Sequence, residues 1–191
     1  AVGAGVFSPG MAVDGTGTVE CITPVFDSIP DSETLYSKGY CVVPYVFDNT
    51  YICYAFSFTG GAAIKWFRDK ISSVKSYAAL VSSVSSEPTG LLIMPHFSGA
   101  ATPYMDSSSK AAVIGLTLEH NGSDLYKALM EGVTYEMMLN IEQLESFGIA
   151  PEKLYAVGGG ASSPVWLQIK ADILDRPVTS LDAKEAGACG T

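Results

Sequence analysis

The sequence predicts an α/β domain in which one mixed sheet carries helices on its flanks. Three observations lead there. Paired strand patterns open the chain, at residues 11–25 and 41–56. Helix and strand patterns then alternate toward the C-terminal end. Between the strand pattern Leu154-Tyr155-Ala156-Val157 and a helical pattern over 163–174 stands the run Gly158-Gly159-Gly160-Ala161-Ser162-Ser163-Pro164. A strand, a glycine turn and a helix start make a surface that anionic oxygens can approach. Glycine removes the Cβ barrier, and a helix start offers N–H groups and the positive end of the dipole.

Each element has its own signal. Met11 to Asp14 and Val19 to Val25 read as a hairpin joined by Gly15-Thr16-Gly17-Thr18. Cys41 to Val46 and Tyr51 to Phe56 form a second strand pair, with Asp48-Asn49 as its turn. Gly60-Gly61-Ala62-Ala63 opens a helix with Ile64, Phe67 and Ile71 on one face. Residues 72–86 read as a second helical piece with serine-rich ends. Leu91 to Met94 is a short buried strand stopped by Pro95, and 96–106 is a loop. The clearest helix spans 124–147, with Ser123 as N-cap, a face of Leu125, Leu129, Gly132, Tyr135 and Leu139, and Gly148 as its stop. Arg176-Pro177-Val178-Thr179 begins one more strand, and residues 185–190 begin an element that the chain does not finish.

Composition narrows the function. The chain has 191 residues, 48% hydrophobic and 16% charged, which suits one folded domain with a real core. The low charge and ten tyrosines predict that a partner covers part of the surface. A net charge of −9 disfavours nucleic acid as a partner. No apolar run reaches the roughly 18 residues of a membrane span. The start at Ala1 has no basic region of the signal-peptide kind, and the chain reads as a piece of a longer protein. Cys21, Cys41, Cys53 and Cys189 are scattered, which favours reduced, mostly buried thiols in a cytoplasmic protein. His96 and His120 have no zinc-ligand spacing. No Walker-type or Rossmann glycine pattern is present.

Three glycine turns therefore stand at element junctions: Gly17-Thr18, Gly60-Gly61 and Gly158-Gly159-Gly160. Each can present N–H groups to anionic oxygens. The ordered set Pro103-x-x-Asp106, Gly115-Leu116, Glu131-Gly132, Gly158-Gly159-Gly160, Trp166-x-Gln168 and Ala171-Asp172 resembles the C-terminal half of the FGGY carbohydrate kinases, the family of glycerol, xylulose and gluconate kinases. The likeness runs over nearly the whole chain.

The resemblance implies an actin-like, ribonuclease-H-type domain, the nucleotide side of a two-domain kinase. It implies residues 1–191 as a single such domain, cut at both ends and lacking the sugar-binding N-terminal domain. ATP and Mg²⁺ are the implied cofactors. The implied partners are the chain's own N-terminal kinase domain and a sugar or polyol, and the resemblance leaves room for a homodimer. By position, Gly17 and Thr18 match a phosphate-contacting pair, and Gly61 a phosphate-side glycine. Lys65 matches a polar residue one turn later. Gly159 matches a glycine under the adenosine and Ser163 a polar contact to the adenine, and Gly160 counts with them as nucleotide-binding. Asp106 matches an aspartate that holds this loop or binds solvent and metal indirectly. The family's general-base aspartate would lie before Ala1, so no catalytic residue is expected within the chain and the isolated chain should phosphorylate nothing. One departure stands out: Gly99-Ala100-Ala101-Thr102-Pro103 occurs where many pentulose kinases carry Gly-Glu-Arg before the proline. An actin-like ATP-binding scaffold or chaperone-type ATPase is the alternative.

Overall fold

The fold comes from a computed structural model that describes residues 1–30 and 32–181. Its strands are β1 (Met11–Thr16), β2 (Glu20–Phe26), β3 (Cys41–Pro44), β4 (Tyr51–Ser57), β5 (Leu92–Met94), β6 (Ala112–Ile114), β7 (Lys153–Gly158) and β8 (Val178–Ser180). Its α-helices are α1 (Ser32–Ser37), α2 (Gly61–Trp66), α3 (Tyr77–Ser82), α4 (Gly122–Ser146) and α5 (Pro164–Leu174). Six strands form the main sheet in the order β3-β4-β2-β1-β7-β8. The β1–β2, β2–β4 and β3–β4 pairs are antiparallel, and the β1–β7 and β7–β8 pairs are parallel. The sheet is mixed, as the sequence predicts.

The parallel register decides where a site can form. Thr16 pairs with Gly158, so the carboxyl ends of β1 and β7 finish side by side. Thr16 also faces Glu20 across the β1–β2 turn. Crevices beyond the carboxyl ends of parallel strands are where α/β sheets hold ligands.

Helix α4 is the main strut, about 37 Å long for its length. It packs on β2, β4, β5, α2 and α5 together. It therefore buries a broader surface than the single face the sequence suggests. Tyr126, Leu129, Met130, Val133, Met137, Ile141 and Leu144 are buried, whereas Tyr135 of the expected face is exposed. Each such side chain contributes about 1.5–3 kcal/mol by leaving water. Gly132 lets β5 come close, because a Cβ there would overlap the Ile93 carbonyl oxygen. The N-cap is Asn121 rather than Ser123. Asn121 Oδ1 accepts the Ser123 N–H at 2.8 Å, and Asp124 Oδ2 accepts the Asn121 N–H at 2.8 Å. This reciprocal cap starts the helix two residues earlier than the sequence suggests.

The second helical piece shrinks to α3, preceded by a π-type turn at Phe67–Ile71. Serine hydroxyls divert the backbone around it: Ser72 Oγ accepts the Val74 N–H, and Ser85 Oγ the Glu87 N–H. Helix α1 and strand β6 carry no pattern that the sequence reading detects. β6 pairs with β5 in a separate two-stranded sheet, Leu92 opposite Ile114. Of the cysteines, Cys53 is buried, Cys21 is half-buried and Cys41 is exposed, all without disulfides, so burial of the thiols is only partial. Cys41 sits on strand β3, which is the edge of the main sheet among the described residues. Cys189 and the expected element at 185–190 lie outside the described residues.

Candidate functional site

Two glycine-bearing turns meet over the ends of β1 and β7. The first joins β1 to β2 and is held by α2: the Gly61 N–H donates to Gly17 O at 2.8 Å, and the Ala62 N–H to Thr18 O at 3.1 Å. The second begins at Gly158, where φ is 86°, and runs through a 3₁₀ turn at Gly159–Ser162 into α5. Pro164 opens α5, and Ser163 caps it by accepting the Trp166 N–H at 3.4 Å. Proline at the first position and serine at the cap explain why the chain turns helical here.

The glycines divide into two kinds. A Cβ at Gly61 would stand 2.5 Å from Gly17 O, and one at Gly158 would stand 2.5 Å from Thr16 O. A Cβ at Gly160 would run into the Thr16 side chain, and one at Gly60 into the Val19 backbone. These four permit close packing within the protein. A Cβ at Gly17 meets only Val19 O at 3.9 Å, and one at Gly159 only Thr16 O at 4.0 Å. Those two have open space beside them, and both face the cleft.

That cleft has a volume of about 1000 Å³. Its floor is Thr16, Gly17, Thr18, Gly61, Gly159 and Gly160. One wall is apolar, with Ile64, Tyr77, Val81, Tyr126, Met130 and Val165. The rim is polar, with Lys65, Asp69, Lys70, Ser162 and Ser163. A slot that is apolar on one side and lined by glycine turns on the other can take a flat, uncharged ring and an anionic tail. The structure thus brings Gly17, Thr18, Gly61, Lys65, Gly159, Gly160 and Ser163 to one cleft. The Thr18 N–H has no protein acceptor among the described residues, whereas the Gly61 N–H is already bonded within the protein. Lys65 Nζ pairs with Asp69 Oδ2 at 2.6 Å, and Arg68 Nε donates to Asp69 Oδ1 at 2.7 Å. These two cations hold the Asp69 carboxyl below the usual carboxylate range.

Asp106 lies apart from the cleft lining. Its Oδ1 accepts the Ser108 N–H at 2.8 Å and the Ser108 hydroxyl at 2.6 Å, and its backbone carbonyl accepts the Ala100 N–H. These bonds tie Asp106 to Ser108 and Ala100 within its loop. Where the Gly-Glu-Arg pattern would put charges, Ala100 and Ala101 are buried.

The sequence reading missed the group beneath the floor. Lys170 of α5 is buried, and its Nζ donates to Asp14 Oδ1 at 2.8 Å and Oδ2 at 2.6 Å. It also donates to Thr16 Oγ1 and to Glu20 Oε1, both at 2.6 Å. The Thr16 hydroxyl donates to Glu20 Oε1 at 2.9 Å. Glu20 Oε2 is buried without a hydrogen-bond partner among the described residues. Burial pushes the Glu20 carboxyl well above its ordinary range, against the pull of Lys170. The lysine stays above its usual value because Asp14 and Glu20 outweigh its own desolvation. The one signal available in sequence was a lysine beside Ile169 in a largely apolar helix.

A second buried polar group sits near β4 and α4. His96 Nδ1 is 2.7 Å from Ser109 Oγ, and His96 Nε2 is 3.2 Å from Glu136 Oε1 without good hydrogen-bond alignment. The Ser57 hydroxyl donates to Glu136 Oε2 at 3.0 Å. Burial raises the Glu136 carboxyl, partly offset by Ser57 and His96. Among the described residues, no group of three or more His, Cys, Asp or Glu side chains could hold a metal ion, and no helix is long and apolar enough to cross a membrane.

Comparison with known proteins matches this geometry to a family. Residues 41–191 match the model of the FGGY family of carbohydrate kinases, C-terminal domain. The chain is 28% identical over its whole length to the xylulose kinase of Bacillus subtilis, and covers 38% of that protein. It is 31% identical to the glycerol kinase of Enterococcus faecalis, over 96% of the chain and 37% of the relative. Among solved structures, the xylulose kinase of Rhodospirillum rubrum superposes with a TM-score of 0.84 at 24% identity, covering 99% of this chain and 38% of that one. Plasmodium falciparum glycerol kinase with ADP superposes at 0.85 and 23% identity, covering 99% and 38%. The chain thus spans about two fifths of the length of these relatives. The structural neighbours share its mixed sheet and flanking helices, the actin-like ATPase fold. On the family match and the fold together, the chain belongs to the FGGY family of carbohydrate kinases and carries its C-terminal domain.

Proposed function

We propose that this chain is the nucleotide-side domain of an ATP-dependent carbohydrate kinase, which transfers the γ-phosphoryl of ATP to a hydroxyl of a sugar or polyol of the pentulose, glycerol or gluconate class. The cleft between the two glycine turns carries the proposal: it has an apolar wall for a base and an open glycine floor for phosphates. The Thr18 N–H and hydroxyl would contact the phosphates beside Gly17. Gly159 and Gly160 would lie under the nucleoside, with Ser163 at the base and Lys65 at the rim. Gly61 would act by letting α2 close on the turn, since its N–H is already bonded to Gly17 O.

Catalysis of this kind is positioning and electrostatics rather than covalent chemistry. Asp69, the carboxylate in the cleft lining, is held by Lys65 and Arg68. The proposal therefore assigns the general base to the companion N-terminal domain, which also holds most of the sugar. Mg²⁺ finds no carboxylate cage among the described residues, because Lys170 occupies Asp14 and Glu20. The exposed apolar side chains Leu92, Ile114, Leu116 and Leu118 would face the companion domain or a second copy of the protein. A cytoplasmic setting goes with this reading. The scaffold or chaperone-type ATPase has no support in the family match, which is to carbohydrate kinases.

The test is an ADP-release assay on the intact gene product with Mg-ATP and a panel of polyols, ketoses and aldonates. Turnover that depends on one member of the panel supports the kinase. ATP hydrolysis indifferent to every member contradicts it. Gly159→Ala sharpens the assay, because the new methyl has room within the protein and so reports the ligand.

A further inference from the structure

We infer that Lys170 is a positioning residue for the nucleotide phosphates, acting through Thr16 by pinning the β1–β2 turn to α5. The inference rests on the nucleotide reading of the cleft. Its ground is the buried junction beneath the cleft floor. Lys170 lies 154 positions beyond Thr16 in sequence, yet its ammonium sits 2.6 Å from the Thr16 hydroxyl. The same ammonium holds Asp14 on β1 and Glu20 on β2, one residue group on each side of the turn. Every side chain in the cluster is buried, so water does not compete for these bonds.

Thr16 is also where the second glycine turn lands. Its carbonyl oxygen fills the space a Cβ on Gly158 would need, and its side chain fills that of Gly160. Thr16 is therefore clamped between Lys170 and the 158–160 turn. Its hydroxyl points into the cluster, accepting from Lys170 and donating to Glu20. Gly17 and Thr18, the next two residues, form the cleft floor. Moving Thr16 moves them. The clamp thus fixes the spacing of the two turns between which the phosphates would lie. Positioning groups displaced by about 1 Å cost up to about 10²-fold in function.

The experiment uses the intact gene product and two probes, MgADP and adenosine, titrated by calorimetry beside thermal melts. Lys170→Met leaves two buried carboxylates without their cation and is expected to destabilise the fold. The neutral triple variant Asp14→Asn, Glu20→Gln, Lys170→Met removes every charge and keeps the volume. Glu20→Gln alone keeps the Lys170–Asp14 pair and the fold. The triple variant should bind MgADP about tenfold more weakly, a change well within titration range, while adenosine binding stays within about twofold. Glu20→Gln should show a smaller loss in the same direction. Unchanged MgADP affinity in a folded variant overturns the inference, and so does an equal loss for both probes, which marks general damage. A parent protein that binds neither probe overturns the nucleotide reading itself.

Discussion

The molecule buries a glutamate in two places, and the two are compensated differently. Glu20 lies under the cleft floor against an ammonium that comes from a distant helix. Glu136 lies on α4 against the Ser57 hydroxyl and the His96 imidazole. The first arrangement is a fixed cation holding two strands and a helix at one point. The second is a pair of weaker, longer links, at 3.0 and 3.2 Å, beneath the loop that follows β5. The difference teaches where this domain is rigid. The turn that forms the cleft floor is anchored by a full charge in a dry environment, where charge pairs act strongly. The loop carrying Ser109 is anchored by bonds that each contribute about 0.5–1.5 kcal/mol net.

The largest test of that contrast is unfolding in urea. Lys170→Met should cost about 3–5 kcal/mol, the range for removing one partner of a buried ion pair. Glu136→Gln keeps the shape and most of the bonding, and should stay within about 1 kcal/mol. Equal losses would erase the distinction.

Next comes Gly160→Ala. Its methyl runs into Thr16, which Lys170 prevents from yielding. The expected cost is about 1–3 kcal/mol, as for other overpacked sites. In the Lys170→Met background the same change should cost measurably less, because Thr16 is then free to shift. Strict additivity in this double-mutant cycle would show that the clamp does not restrain Thr16.

A smaller effect concerns pH. Burial raises both carboxyls. A raised carboxyl binds its proton more tightly in the folded state. Its contribution to stability is therefore complete below the ordinary glutamate value of about 4.3 and is lost as pH climbs through the folded value. Glu20→Gln and Glu136→Gln should each flatten this decline, read as urea midpoints from about pH 5 to about pH 8. Identical profiles for parent and Glu20→Gln would contradict the raised carboxyl. Lys170 is also raised, so its contribution persists to alkaline pH and is lost only above its folded value.

Smallest of all is Asp69→Asn on the cleft rim. Its pairs with Lys65 and Arg68 stand in solvent, where such contacts contribute little. No shift in melting midpoint is expected. A clear drop would mean that the rim, too, is structurally anchored.

Much of this was legible in the sequence. The glycine turns at 17–18, 60–61 and 158–160 are local signals, because glycine is needed where a Cβ would strike neighbouring backbone, as at Gly60, Gly61 and Gly158. The hairpins and the long helix show in periodicity. The order of motifs points to the FGGY family, which the family match bears out. Other features were not legible. Ser123 and Asn121 are both good caps, and only the reciprocal bond with Asp124 chose between them. Tyr135 fits the expected stripe of α4 but faces solvent, because the helix has several neighbours and no single buried face.

What the sequence determined by itself, then, is the local conformation of the turns and the order of elements around them, since both depend on residues close together in the chain. What the tertiary structure decided is which turns meet and what holds them. Parallel pairing of β1 with β7 sets Thr16 beside Gly158, across 142 positions of sequence. It also brings Lys170 beneath them to balance two buried carboxylates. A lysine in a largely apolar helix carries no mark of its partner. Only the removal of water around it requires that the opposite charge be there.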